Sequence, residues 1–205
     1  DDPTPIAMVD LQGCSLDGIS DTGDSLRMGA MTTLQDLVYD ERVPTGLSEA
    51  ARAELPSTLR TLATVGGTVA TGNADSVLLA ALLVHEARIE LLGPDGHETT
   101  PLEDILTSGL AAGHVVTAVE VDPSGGCARH STARTPSDTP IVSATARVAN
   151  DGLRLALTGV ADHPVLVDPA DPTAGLDPIG DFRGSADYRR KLAKLLAGRA
   201  LLALE

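Results

Sequence analysis

Aromatic residues are almost missing from this 205-residue chain, which has one Phe (Phe182), two Tyr (Tyr39, Tyr188) and no Trp. Its core must therefore be aliphatic, and it lacks the stacking platforms that hold unpaired nucleic-acid bases. Positive charge is also short: 15 Lys and Arg face 29 Asp and Glu, for a formal net charge of −14. Such a surface repels phosphate backbones and anionic membranes, so nucleic acid is excluded as a partner. Cysteine is limited to Cys14 and Cys127, with no CxxC pair. That fits incidental thiols in a reducing compartment and excludes an iron–sulfur cluster held by this chain alone, which needs four thiolates. The longest apolar run, 77–84, is too short to span a bilayer, so membrane insertion is not expected. The opening Asp1-Asp2-Pro3-Thr4-Pro5 has no basic segment of a signal peptide, which makes the cytoplasm the expected compartment. It also lacks an initiator Met, as a part of a longer polypeptide would.

The sequence has enough patterning for an α+β fold. Strands are expected over Ile6–Leu11, Ser25–Ala30, Ala87–Leu92, His114–Val121, Gly126–Thr132, Ile141–Ala149 and Leu153–Gly159. Pro94-Asp95-Gly96 and Asn150-Asp151-Gly152 are turn signals. Helices are expected from a Thr32 or Thr33 cap to about Asp40, over Ser48–Ala53 and Glu54–Leu62 with Pro56 in the first turn of the latter, and over Val77–Glu86 behind an Asp75-Ser76 cap. A short helix should follow Pro101, and a long amphipathic one should run from Ser185 to Leu204. Helices and strands interleave in the first half, whereas antiparallel strands closed by one helix make up the second.

Between the Glu54–Leu62 helical pattern and the apolar run lies Thr64-Val65-Gly66-Gly67-Thr68-Val69-Ala70. Paired glycines permit positive φ and close approach to the main chain, and successive free N–H groups in such a turn cradle anions. Taken alone, the pair reads more simply as a turn between buried elements. The other candidates are bland. His85, His97, His114 and His163 show no metal-ligand spacing, and no GxSxG elbow occurs. Arg129 and His130 read as a surface pair, Asp138 reads equally as a turn residue or a site acid, and the two cysteines have no activating neighbours.

Several segments are similar, as a set, to one family. Ser25-Leu26-Arg27-Met28-Gly29-Ala30-Met31-Thr32-Thr33-Leu34 resembles the L-x-I-G-A-x-T-T-L opening of the flavin (medium) subunits of molybdenum hydroxylases, the xanthine dehydrogenase and carbon monoxide dehydrogenase family. Thr64–Ala70 resembles its T-[IV]-G-G-N-[IL]-A flavin loop. Leu82-Leu83 with Ala87–Leu91, Thr100–Asp104, Thr135–Val142 and Phe182–Arg190 resemble four later segments in the same order and spacing.

The resemblance implies the second part of a vanillyl-alcohol-oxidase (PCMH)-type FAD-binding domain over 1–110. An antiparallel-sheet-plus-helix C-terminal domain would follow over 111–205. It implies FAD as the cofactor, with Thr64, Val65, Gly66, Gly67, Thr68 and Asp138 as cofactor-binding residues and no catalytic side chain or metal ligand of its own. The implied partners are a molybdopterin-binding large subunit and a 2Fe-2S small subunit. Electrons would pass from the clusters through the flavin to an external acceptor. The family's first pyrophosphate segment, A-G-G-[TQ]-[DS]-L, has no counterpart before Ile6, so the expected FAD domain is incomplete at its N-terminus. The family's loop Asn is Thr68 here, and its following Asp falls on Val77. These departures motivate the alternative expectation, a flavin-free scaffolding member of the same fold.

Overall fold

A computed structural model describes residues 8–135, 138–150 and 152–205. In chain order the elements are β1 (Ile19–Asp21), β2 (Leu26–Gly29), α1 (Leu34–Tyr39), α2 (Thr45–Glu54), α3 (Ser57–Arg60), α4 (Val65–Thr71) and α5 (Val77–Val84). There follow β3 (Arg88–Gly93), β4 (Gly96–Pro101), α6 (Leu102–Ser108), β5 (Val115–Val121), β6 (Gly126–Thr132), β7 (Val142–Ala149), β8 (Gly152–Thr158), β9 (Val165–Val167) and α7 (Ala186–Leu202).

The elements form two antiparallel sheets. The first has the order β1-β2-β5-β3-β4 and the second β6-β7-β8-β9. β5 is the middle strand of the first sheet, pairing Leu26 with Val121 on one side and Arg88 with Glu120 on the other. β5 ends at Val121 and β6 begins at Gly126, so residues 122–125 connect the two sheets.

α5 joins the two halves. All eight of its residues are buried, because α2 packs on one side of it and β7, β8 and β9 on the other. A helix apolar all round belongs in a core. Among the described residues no helix is long and apolar enough to cross a membrane. On the second sheet α7 lies against β6, β7 and β8, so β7 is covered on both faces. Val142–Arg147 are consequently all buried, against the one-sided strand that its alternation predicts.

The caps explain where the helices begin. Thr33 forms a capping box with Asp36, Ser76 accepts from the Leu79 N–H, and Ser185 accepts from the Tyr188 N–H. Two further sequence expectations fail. Met8–Leu11 form no strand, and Ile6–Ala7 lie outside the described residues. The Gly66-Gly67 turn is the first turn of a helix, α4, and neither glycine has positive φ.

Candidate functional site

α4 begins where it does because its N-terminus is stitched to the segment that follows β2. Thr33 and Thr64 form an antiparallel bridge. The Leu34 N–H donates to the Ala63 carbonyl at 2.9 Å and the Val65 N–H to the Thr32 carbonyl at 3.0 Å. The Gly66 N–H donates to the Ala30 carbonyl at 2.9 Å, and the Gly67 N–H donates to Thr64 Oγ1 at 3.1 Å. The expected cradle of free donors is therefore largely taken up by the chain itself. Thr68 is committed likewise, its hydroxyl donating to the Thr64 carbonyl.

Gly66 is required for contact with its own chain. A Cβ there would stand 2.6 Å from the Ala30 Cβ and 2.9 Å from the Ala30 carbonyl oxygen. We expect Gly66→Ala to lose about 1–3 kcal/mol in urea unfolding, as overpacking does. Gly67, whose added Cβ would meet only Thr64 Oγ1, should tolerate alanine with a smaller change.

Beside α4 a crevice opens in two adjoining halves. One, about 380 Å³, is walled by Leu62, Thr64, Gly67, Thr68 and Thr71. The other, about 400 Å³, is walled by Arg52, Asp75, Ser76, Asp138 and Thr139. Glu54, Leu55 and Asn73 border both halves. The fold thus brings Thr64, Gly67, Thr68 and Asp138 to one crevice and places Val65 and Gly66 in the packing beneath it. Pro136 and Ser137, part of the motif leading to Asp138, lie outside the described residues.

The charges of the crevice are mostly spoken for. Asp75 is paired with Arg183 at 2.7 Å and Asp138 with Arg134 at 3.5 Å. Glu54 has no ion pair among the described residues. Its carboxylate accepts the Leu78 N–H at 2.9 Å, at the start of α5. Burial pushes its pKa up, against hydrogen bonds from the main chain of Leu78 and Val77 and the Ser76 hydroxyl. Three groups of lining residues donate no hydrogen bond among the described residues: the Thr64 hydroxyl, which accepts from Gly67, the Asn73 amide nitrogen and the Arg52 guanidinium. With the bare backbone of Gly67 they suit a phosphate-bearing ligand, and Glu54 opposes one.

Glu54, Asn73 and Arg52 escaped sequence reasoning. Glu54 meets Leu78 across 24 positions of chain, a separation that leaves no local signal. The remaining candidates lie elsewhere. Arg129 is half-buried with its Nη1 donating to Ser131 at 2.7 Å, and burial pushes its pKa down. Cys127 packs on Gly46, and burial pushes its thiol up to about 11. His114 lies 3.3 Å from Glu98, and His163 lies 2.7 Å from Asp162. Among the described residues no three His, Cys, Asp or Glu gather as a metal site would require.

Comparison with known proteins follows the same lines. Residues 2–123 match the family model described as the FAD binding domain in molybdopterin dehydrogenase. The protein YgfM of Escherichia coli (strain K12) is 32% identical over 202 residues, covering 92% of this chain and 76% of YgfM. The carbon monoxide dehydrogenase medium chain of Afipia carboxidovorans is 28% identical over 233 residues, covering 97% of this chain and 81% of its own. In solved structures, carbon monoxide dehydrogenase from Hydrogenophaga pseudoflava superposes with a TM-score of 0.84 at 25% identity, over 92% of this chain and 78% of that one.

Proposed function

Because this chain belongs to the family of FAD-binding domains of molybdopterin dehydrogenases, we propose that it is the flavin-carrying electron-transfer subunit of a molybdopterin-dependent hydroxylase. Its partners would be a molybdopterin-binding large subunit and a 2Fe-2S small subunit. Electrons would reach this chain from the partner's clusters and leave to an external acceptor. We also propose that a flavin-binding unit ends, and the C-terminal unit begins, in the 122–125 connection.

The observation that carries the reading is the crevice that joins Thr64, Gly67 and Thr68 to Asp138. FAD, when bound, supplies the redox chemistry by taking electrons singly or in pairs. The chain's part is to hold and orient it. The Gly67 backbone admits a ligand closely because no Cβ stands in the way. The Thr64 hydroxyl, Asn73 amide and Arg52 guanidinium are the donors for its phosphates. Asp138 stands in the far half, its carboxylate steadied by Arg134.

A second reading is a flavin-free scaffolding member of the same fold. It is favoured by the N–H groups of Val65 and Gly66, both already bonded within the chain, and by Val77 at the family's acid position. One measurement separates the two. The purified full chain should be yellow, or should quench the fluorescence of added FAD and acquire a resolved flavin absorption band. A colourless protein that takes up no FAD would sink the first reading in favour of the second.

A further inference from the structure

We propose that Glu54 is a specificity-determining residue of the crevice, which admits the FAD pyrophosphate together with a proton taken up at the Glu54 carboxylate. The inference rests on the flavin reading above. Glu54 borders both halves of the crevice, so any ligand that runs from Thr64 and Gly67 to Asp138 passes beside it. A pyrophosphate diester brings two negative charges that persist across the neutral range. A like charge within a few ångströms favours the protonated carboxyl.

The groups around Glu54 single it out. From the start of α5 come the Val77 and Leu78 N–H groups, the Ser76 hydroxyl and Asp75. Asp75 is paired with Arg183. The connection before β7 contributes Asp138, paired with Arg134. α4 contributes only hydroxyls, those of Thr64, Thr68 and Thr71. β6 contributes Arg129, which also faces Glu49 and whose attraction is the weakest influence on Glu54. α2 itself adds Arg52, and α3 adds Arg60, whose guanidinium is committed to Gln35 and to the carbonyls of Arg52 and Leu55. Of the three carboxylates lining the crevice, Glu54 alone has no guanidinium partner among the described residues. Burial already favours its neutral form, so it is the group that takes up a proton from solvent when an anion arrives.

Proton uptake makes affinity depend on pH with a definite sign. Between the free and the bound pKa of Glu54 the Kd for FAD should rise by up to about tenfold per pH unit. The test is flavin-fluorescence titration of the full chain from about pH 5.5 to 8, with calorimetry in two buffers of different ionisation enthalpy to count protons. The wild-type protein should bind more weakly as pH rises and should take up as much as one proton. Glu54→Gln, checked for an unchanged far-ultraviolet dichroism spectrum, should lose both effects and bind more tightly than wild type at pH 8. If that variant does not fold, the wild-type proton count decides alone, since binding without uptake overturns the inference. FAD binding with the same pH slope in wild type and Glu54→Gln also overturns it and leaves the flavin reading standing. No binding by either protein at any pH overturns both.

Discussion

Arg147→Ala is expected to lose about 3–5 kcal/mol of folding stability, the usual result of removing one partner from a buried charged network. A chain of this length should then melt about 10 °C lower or more. Arg147 is 1% exposed although it lies on a strand, β7. Its guanidinium donates to the Ser124 carbonyl at 2.9 Å, the Val84 carbonyl at 3.0 Å, the Ser124 hydroxyl at 3.2 Å and the Asp122 carboxylate. It therefore binds the second sheet to the end of α5 and to the connection between the sheets. Burial would raise the Asp122 pKa, but hydrogen bonds from Ser124 and Arg147 hold it down at about 2. Alanine leaves the buried Val84 carbonyl unpaired and takes the guanidinium away from Asp122 and Ser124. Lysine restores the charge, but a single ammonium does not span the same fork of acceptors, so most of the loss should remain in Arg147→Lys. Urea unfolding of the three proteins measures this, and a loss under about 1 kcal/mol in the alanine variant would show that the clamp is incidental.

Acid should loosen the same junction. His85 is fully buried, with Nδ1 2.8 Å from the Asp122 carbonyl and Nε2 without a hydrogen-bond partner among the described residues. Burial, aided by the nearby Arg147 charge and opposed by the Asp122 carbonyl and carboxylate, pushes its pKa from 6.5 down to about 4. The folded protein thus holds His85 neutral at pH values where the unfolded chain protonates it. The stabilisation is complete above pH 6.5 and is lost as pH falls toward 4, about 3 kcal/mol in all. Other groups titrate over this window, so the decisive quantity is a difference. His85→Leu should lose about 2–3 kcal/mol less than wild type between pH 7 and pH 4.5 in urea unfolding. Equal losses in the two proteins would remove His85 from the account.

Much of the architecture is legible in the sequence because its signals are local. Thr33, Ser76 and Ser185 cap the helices their positions predict, and Pro94-Asp95-Gly96 turns β3 into β4. The errors share one physical cause, namely tertiary contact overriding local preference. Two adjacent glycines are poor helix formers. They start α4 because the Thr33–Thr64 bridge and the approach of Ala30 fix the backbone there. Arg147 reads as the outward residue of an alternating strand and is inward because α5 covers that face. In the site, Thr64, Gly67, Thr68 and Asp138 were within reach of motif reasoning. Glu54 becomes a neighbour of those residues only through folding.

The place of β5 bears on how the chain is made. β2 and β3 are bonded to β5 and not to each other, so both present open edges until Val121 has left the ribosome. Everything from β1 to α6 is synthesised before the strand that closes its sheet. The first half therefore folds late, as part of a longer nascent segment, through pairings between residues far apart in the chain, which are slow to form. During that interval the apolar α5 segment and two unpaired edges are exposed together, and this is the stage at which the nascent chain most needs protection from aggregation.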